Sequence, residues 1–157
     1  MNPKDASREV RPSHRRWDRW VFVLYLLYAL ANTYPYSHPA YIGRFVPDKG
    51  DPLFDLWQMK WFARQLFRDP RHLWDANVLH PLERAMTFND SLLGLALLGL
   101  PIGGLTGDWV LARNVLFVLG FLLSAWSTYR LARLLGASDG GALVAGLLYG
   151  FCSIRFH

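Results

Sequence analysis

The sequence predicts an all-α membrane protein, with multi-pass transmembrane helices and an external layer made of an amphipathic helix and loops. Three observations carry this. Apolar residues make up 52% of the chain and gather in blocks, whereas a soluble domain spreads them at a period of 2 or 3.6. Lys4, Arg8, Arg11, Arg15, Arg16 and Arg19 stand just before the first block, as basic residues do on the cytoplasmic side of a span. The polar middle of the chain is rich in Trp and turn residues, which suits a layer at a membrane surface. Aromatic residues at 15% exclude a disordered chain. One cysteine, Cys152, excludes a disulfide framework and a Cys-rich zinc site. The net charge of +5 is not read as a nucleic-acid signal, because no stacking platform accompanies the Arg-rich arm.

Residues 1–16 are a basic cytoplasmic tail, and residues 17–36 are the first transmembrane helix. At about 1.5 Å per residue this segment reaches about 30 Å, the thickness of the hydrocarbon layer. Trp17, Trp20, Tyr34 and Tyr36 stand where interfacial aromatic belts form. Ala29-Leu30-Ala31 offers a rival reading, a signal-peptide cleavage site.

Residues 37–108 form an external loop. Asp51-Pro52 reads as a helix start with Asp51 as the cap, and the helix covers 52–68, because Asp69-Pro70 disfavours continuation. Leu56, Met59, Phe62, Ala63, Leu66 and Phe67 fall on one face. Gln58, Lys60, Arg64, Gln65 and Arg68 fall opposite, with Trp57 and Trp61 on the polar side. Asp55 falls at the edge of the apolar face, one turn after Asp51. A carboxylate in that place needs a partner, a proton or a metal. Favourable placement near the helix dipole is the simpler account of both acids.

Next come His72, Asp75, Asn77, His80, Glu83 and Asp90, a dense polar set that also reads as ordinary turn chemistry, with Asp90-Ser91 capping the next helix. HExxH, Walker A and GxSxG patterns are absent from the sequence. Residues 91–105 are an interfacial or re-entrant helix, short and interrupted by Pro101. Residues 109–135 and 139–154 are two further transmembrane helices, and Ser138-Asp139 caps the second. With 91–105 outside the hydrocarbon, Arg130 and Arg133 become cytoplasmic. If it spans, they lie outside, against the positive-inside bias. Arg113 is either a snorkelling side chain or a group for an anionic headgroup. Gly146 and Gly150 predict close helix packing. Residues 155–157 begin a further external loop. Arg155 and His157 are interfacial anchors or groove residues.

The order of these pieces resembles the N-terminal part of bacterial membrane proteins of the GT-C glycosyltransferase superfamily, in the lineage of protein O-mannosyltransferases and aminoarabinose transferases. Gly50-Asp51-Pro52 opens a Trp-rich helix, followed by Leu73-Trp74-Asp75-Ala76-Asn77 and His80-Pro81. A Leu-Leu-Gly-rich segment ending at Pro101, Ala112-Arg113-Asn114, Tyr129-Arg130-Leu131-Ala132-Arg133 and Ser153-Ile154-Arg155-Phe156-His157 complete the series. The resemblance implies sugar transfer from a polyprenyl-phosphate donor to an acceptor hydroxyl on the external face of the plasma membrane. It implies Asp51, with Asp55 as substitute, as the catalytic acid of the first external loop. It implies His80, Glu83 or Asp90 as acceptor or loop groups, and Arg113, Arg155 and His157 as donor-phosphate groups. A divalent metal ion held by Asp51 is a further expectation. Where many members have two neighbouring acids, this chain has Asp51-Pro52. Such proteins continue through many more spans, so the chain is expected to be an N-terminal fragment, inactive alone. The competing class is a non-catalytic membrane scaffold or partner subunit. A transporter ranks last, because the late apolar runs carry few polar residues beyond Ser124, Ser127 and Thr128.

Overall fold

The computed structural model describes residues 12–47 and 50–152, so Arg155 and His157 lie outside the described residues. Among these residues the chain is all-α, with five helices: α1 (Pro12–Asn32), α2 (Asp51–Arg68), α3 (Leu93–Thr106), α4 (Trp109–Leu134) and α5 (Asp139–Gly150). Two compact units result, one from residues up to 32 with those from 120 onward, and one from Thr33–Leu119.

The first unit packs α1, the later turns of α4 and α5. Tyr129 donates its hydroxyl hydrogen to Asp18 Oδ1 at 2.5 Å, and Arg130 lies 3.9 Å from the same carboxylate. The start of α1 therefore sits beside the end of α4, and the two helices run antiparallel. Gly136, at φ 92°, turns the chain after α4. The amide of Ala137 reaches Ala132 O and that of Gly136 reaches Arg133 O, which satisfies carbonyls left over at the helix end. Ser138 then caps α5, accepting from the Gly141 amide, and Asp139 pairs with Arg133. α5 runs parallel to α1, with Tyr25 donating to Leu143 O at 2.9 Å and Tyr28 set edge-on to Phe151. Gly146 and Gly150 bring α5 against Ala125. A Cβ at Gly146 would stand 2.7 Å from Ala125 O, and one at Gly150 2.5 Å from Ala125 Cβ. Small residues at that spacing let the backbones approach.

The second unit is built on α2. Gly50, not Asp51, holds the N-cap position, and it makes no side-chain cap bond. Asp51 is the first helical residue, with Pro52 behind it. The Asp51 carboxylate thus lies where the helix dipole favours a negative charge. Met59, Phe62, Ala76, Met86 and Ala96 form the core, and Trp57, Trp61, Leu73, Trp74, Trp109 and Leu116 pack on it. This corrects the expected polar face. α3 and the 73–92 loop cover a wider arc of α2 than one apolar stripe, so Gln58 is only 1% exposed, while Phe67 is 77% exposed. Trp61 turns its Nε1–H to Leu73 O at 3.0 Å.

α3 is continuous through Pro101, although the ring removes one helical hydrogen bond. Its Gly99 and Gly103 face Met59 and the Trp109 ring, at 3.0 and 2.7 Å from where a Cβ would stand. Leu92 takes the cap position expected of Asp90-Ser91, and Ser91 Oγ only approaches the Leu93 amide at 3.4 Å.

Among the described residues one helix, α4, is long and apolar enough to cross a membrane, and only 33% of its most apolar stretch is buried. The expected first span is shorter than residues 17–36. Its helix ends at Asn32 because residues 33–44 fold into turns, and its first two turns are charged. The last helix ends at Gly150, short of 154.

Candidate functional site

Residues Asp51, Asp55 and Gln58 recur at i, i+4 and i+7, so they share one stripe of α2. The second turn of α4 brings Arg113 opposite. Its Nη2 lies 3.6 Å from Asp55 Oδ2, and the side chains are 14% and 37% exposed respectively. Asn114 orients this arginine. Its Oδ1 accepts from Arg113 Nη1 at 3.3 Å, while its Nδ2 donates to Ile42 O at 2.8 Å and Phe45 O at 2.9 Å. Asn114 is fully buried, so the 33–47 segment is pinned to α4 through one amide. Asp108, whose Oδ1 accepts from the Leu111 amide at 2.8 Å, caps the same helix start.

Burial pushes the Asp55 carboxyl above its ordinary value. The Arg113 guanidinium pulls it back, by its charge and by a hydrogen bond, and the neighbouring Asp51 charge adds to the rise. The Gln58 side-chain oxygen is buried and has no hydrogen-bond partner among the described residues. The site thus joins a half-exposed carboxylate of raised proton affinity, a second carboxylate one turn away and an oriented guanidinium. Such a group can take a proton and meet a phosphate charge.

His80 and Glu83 lie elsewhere in the same unit. They line an open cavity of about 690 Å³ with Trp61, His72, Asp75 and Arg84. Asp75 shapes it by accepting from the Arg84 amide at 2.9 Å, and Arg84 is held at φ 55°. A left-handed non-glycine residue is costly, and it persists only where its surroundings hold it. His72 is bound to Asp69 at 2.7 Å. Asp90 is exposed on the link into α3 and lines neither place.

The structure therefore brings together Asp51, Asp55 and Arg113, sets His80 and Glu83 in a second place and leaves Asp90 outside both. Sequence reasoning missed Gln58, placed on the solvent face, although its spacing from Asp51 and Asp55 was the available signal. Among the described residues, no group of three or more His, Cys, Asp or Glu side chains is placed to hold a metal ion. Arg113 already serves Asp55 as its cation. No protein-family model, curated protein or solved structure matches the chain.

Proposed function

We propose that this chain carries the external-loop site of a multi-pass membrane glycosyltransferase, which moves a sugar from a polyprenyl-phosphate donor to an acceptor hydroxyl. The observation that carries the reading is the pairing of Asp55 with Arg113, beside Asp51, at the start of the membrane-competent helix α4. In the reaction, the acceptor oxygen bonds to the anomeric carbon while the bond from that carbon to the phosphate oxygen breaks. Asp55 takes the hydroxyl proton. Its raised proton affinity suits a base better than an ordinary surface carboxylate. Arg113 turns toward the leaving polyprenyl phosphate, whose charge it meets with paired N–H donors.

Membrane geometry supports the same reading. α1, α3, α4 and α5 all present large apolar side chains outward, among them Leu27, Leu98, Leu123 and Leu148. Faces of that kind need lipid or partner helices to cover them. Because the start of α1 lies beside the end of α4, Arg16, Arg19, Arg130 and Arg133 fall at one end of their unit. On this reading the positive-inside bias makes that end cytoplasmic, with the N-terminus on the inner side of the plasma membrane.

The scaffold reading has one observation in its favour. Arg113 and Asn114 also brace the 33–47 segment, a purely structural task. Binding of polyprenyl phosphate to the full chain separates the two. On the transferase reading, Arg113→Ala weakens binding by about tenfold or more, the worth of one charged hydrogen-bonded contact. Equal binding by both proteins, or by neither, favours the scaffold.

A further inference from the structure

The second unit holds another built place, which proton transfer at Asp55 does not use. It is the open cavity of about 690 Å³ lined by Trp61 of α2 with Asn77, His80, Glu83 and Arg84 of the 73–92 loop. The loop wall is strained. Leu79 stands at φ 58° and Arg84 at φ 55°, in the left-handed region that L side chains avoid. Burial does not offset this at Leu79, whose side chain is 64% exposed. Two hydrogen bonds hold the turns instead. The Arg84 amide donates to Asp75 Oδ1 at 2.9 Å, and the Met86 amide donates to Trp74 O at 3.2 Å. The effect of the turns is to bring His80, Glu83 and Arg84 round one cavity with Trp61. Backbone strain of this kind clusters at ligand clamps.

We propose that this cavity is a binding site for a neutral saccharide. Its wall carries both signs of charge, Arg71 and Arg84 with Asp75 and Glu83, so donors and acceptors stand side by side. Hydroxyl groups match such a wall, because each donates one hydrogen bond and accepts others. Carboxylate and guanidinium groups meet them with charge-assisted bonds, the stronger kind. The Trp61 indole adds a broad apolar surface, on which the C–H face of a pyranose ring lies flat. Its Nε1–H is held by Leu73 O at 3.0 Å, which fixes the plane of the indole. A volume of about 690 Å³ falls in the range of small-ligand sites. A neutral ligand makes no demand that either arginine lack an acid beside it. The proposal goes beyond sugar transfer at Asp55 and does not depend on it.

Saturation-transfer NMR tests it on the whole protein that carries this chain, in polyoxyethylene-detergent micelles, whose headgroups hold no sugar. The probes are the methyl glycosides of glucose, mannose and galactose, with glycerol as the control. No lipid donor is present, so failure here and failure of the transfer reading are separate results. At least one glycoside is expected to bind saturably at about millimolar concentration, with the C–H protons of one ring face saturated most. The pair Asn77→Ala with Glu83→Ala should weaken that binding about tenfold or more, the worth of hydrogen bonds to a charged group. Both side chains are exposed, so the thermal midpoint of this variant should stay at the parent value, which separates lost contacts from misfolding. Saturable binding by none of the glycosides overturns the proposal, and so does binding that the alanine pair leaves unweakened. Equal binding of glycerol, or displacement of the glycoside by an equal concentration of inorganic phosphate, overturns it as well.

Discussion

Replacing Asn114 by Ala tests the joint on which the Asp55–Arg113 geometry depends. Asn114 is fully buried and donates to two backbone carbonyls, Ile42 O and Phe45 O. Alanine removes both donors and also the oxygen that receives Arg113 Nη1. Each lost bond costs about 1 kcal/mol net, and buried carbonyls left without a donor add to that. The sum is about 2–4 kcal/mol, felt first in the 33–47 segment. At about 1.4 kcal/mol per factor of ten, exchange of amide hydrogens in that segment should speed by about 30- to 1000-fold. Hydrogen exchange read by mass spectrometry on peptides covering residues 37–45 measures this, because the amides of Ser37, Tyr41, Ile42, Arg44 and Phe45 are all hydrogen-bonded there. Asn114→Asp makes the test sharper. Aspartate keeps the size, cannot donate, and offers Arg113 a rival carboxylate. It should free the segment as alanine does and also draw Arg113 from Asp55. Exchange unchanged in both variants would refute the assigned role of Asn114.

In the first unit, Gly146→Leu should cost about 1–3 kcal/mol, since its Cβ would meet Ala125 O at 2.7 Å, and it should lower the thermal midpoint of the detergent-solubilised chain. An unchanged midpoint would remove the close approach of α5 to α4. The raised proton affinity of Asp55 carries a sign for stability. Its contribution is fully present below the ordinary aspartate value of about 3.9 and is lost as pH rises through its higher folded value. Asp55→Asn should therefore flatten the pH dependence of unfolding just above pH ~4. A steeper dependence in the variant would contradict the raised value. The same direction predicts that transfer activity rises with pH through a midpoint above that of a free aspartate.

The helical class was legible because apolar blocks, Pro and Gly mark the elements well. α2 ends where Asp69-Pro70 predicts, and Ser138 caps α5 as its side chain allows. The early end of α1 was not legible. Tyr34 and Tyr36 continue the apolar signal, but the chain turns at Thr33, whose side chain is buried. The fate of Gln58 was also hidden. Periodicity places a residue on an arc, and only the packing of α3 and the 73–92 loop decides how much of that arc is covered. Of the site, the Asp51–Asp55 pair followed from helical spacing alone. Its meeting with Arg113 joins residues far apart in sequence, and it depends on how α2 packs beside the start of α4, which no local pattern encodes. The division of the loop groups, with His80 and Glu83 at one cavity and Asp90 apart, depends likewise on the left-handed turns at Leu79 and Arg84.

The central claim is that Asp55 takes the acceptor proton during sugar transfer. The most direct measurement is the rate of transfer from polyprenyl-phosphate sugars by membranes containing the whole protein that carries this chain, compared with Asp55→Asn in that protein at equal protein level and equal thermal midpoint. The account predicts transfer by the parent protein and a loss of about 10²-fold or more in the variant, the worth of a general base. Transfer by Asp55→Asn at the parent rate would contradict the assignment, and no transfer by the parent protein with any such donor would leave the scaffold as the function of this fold.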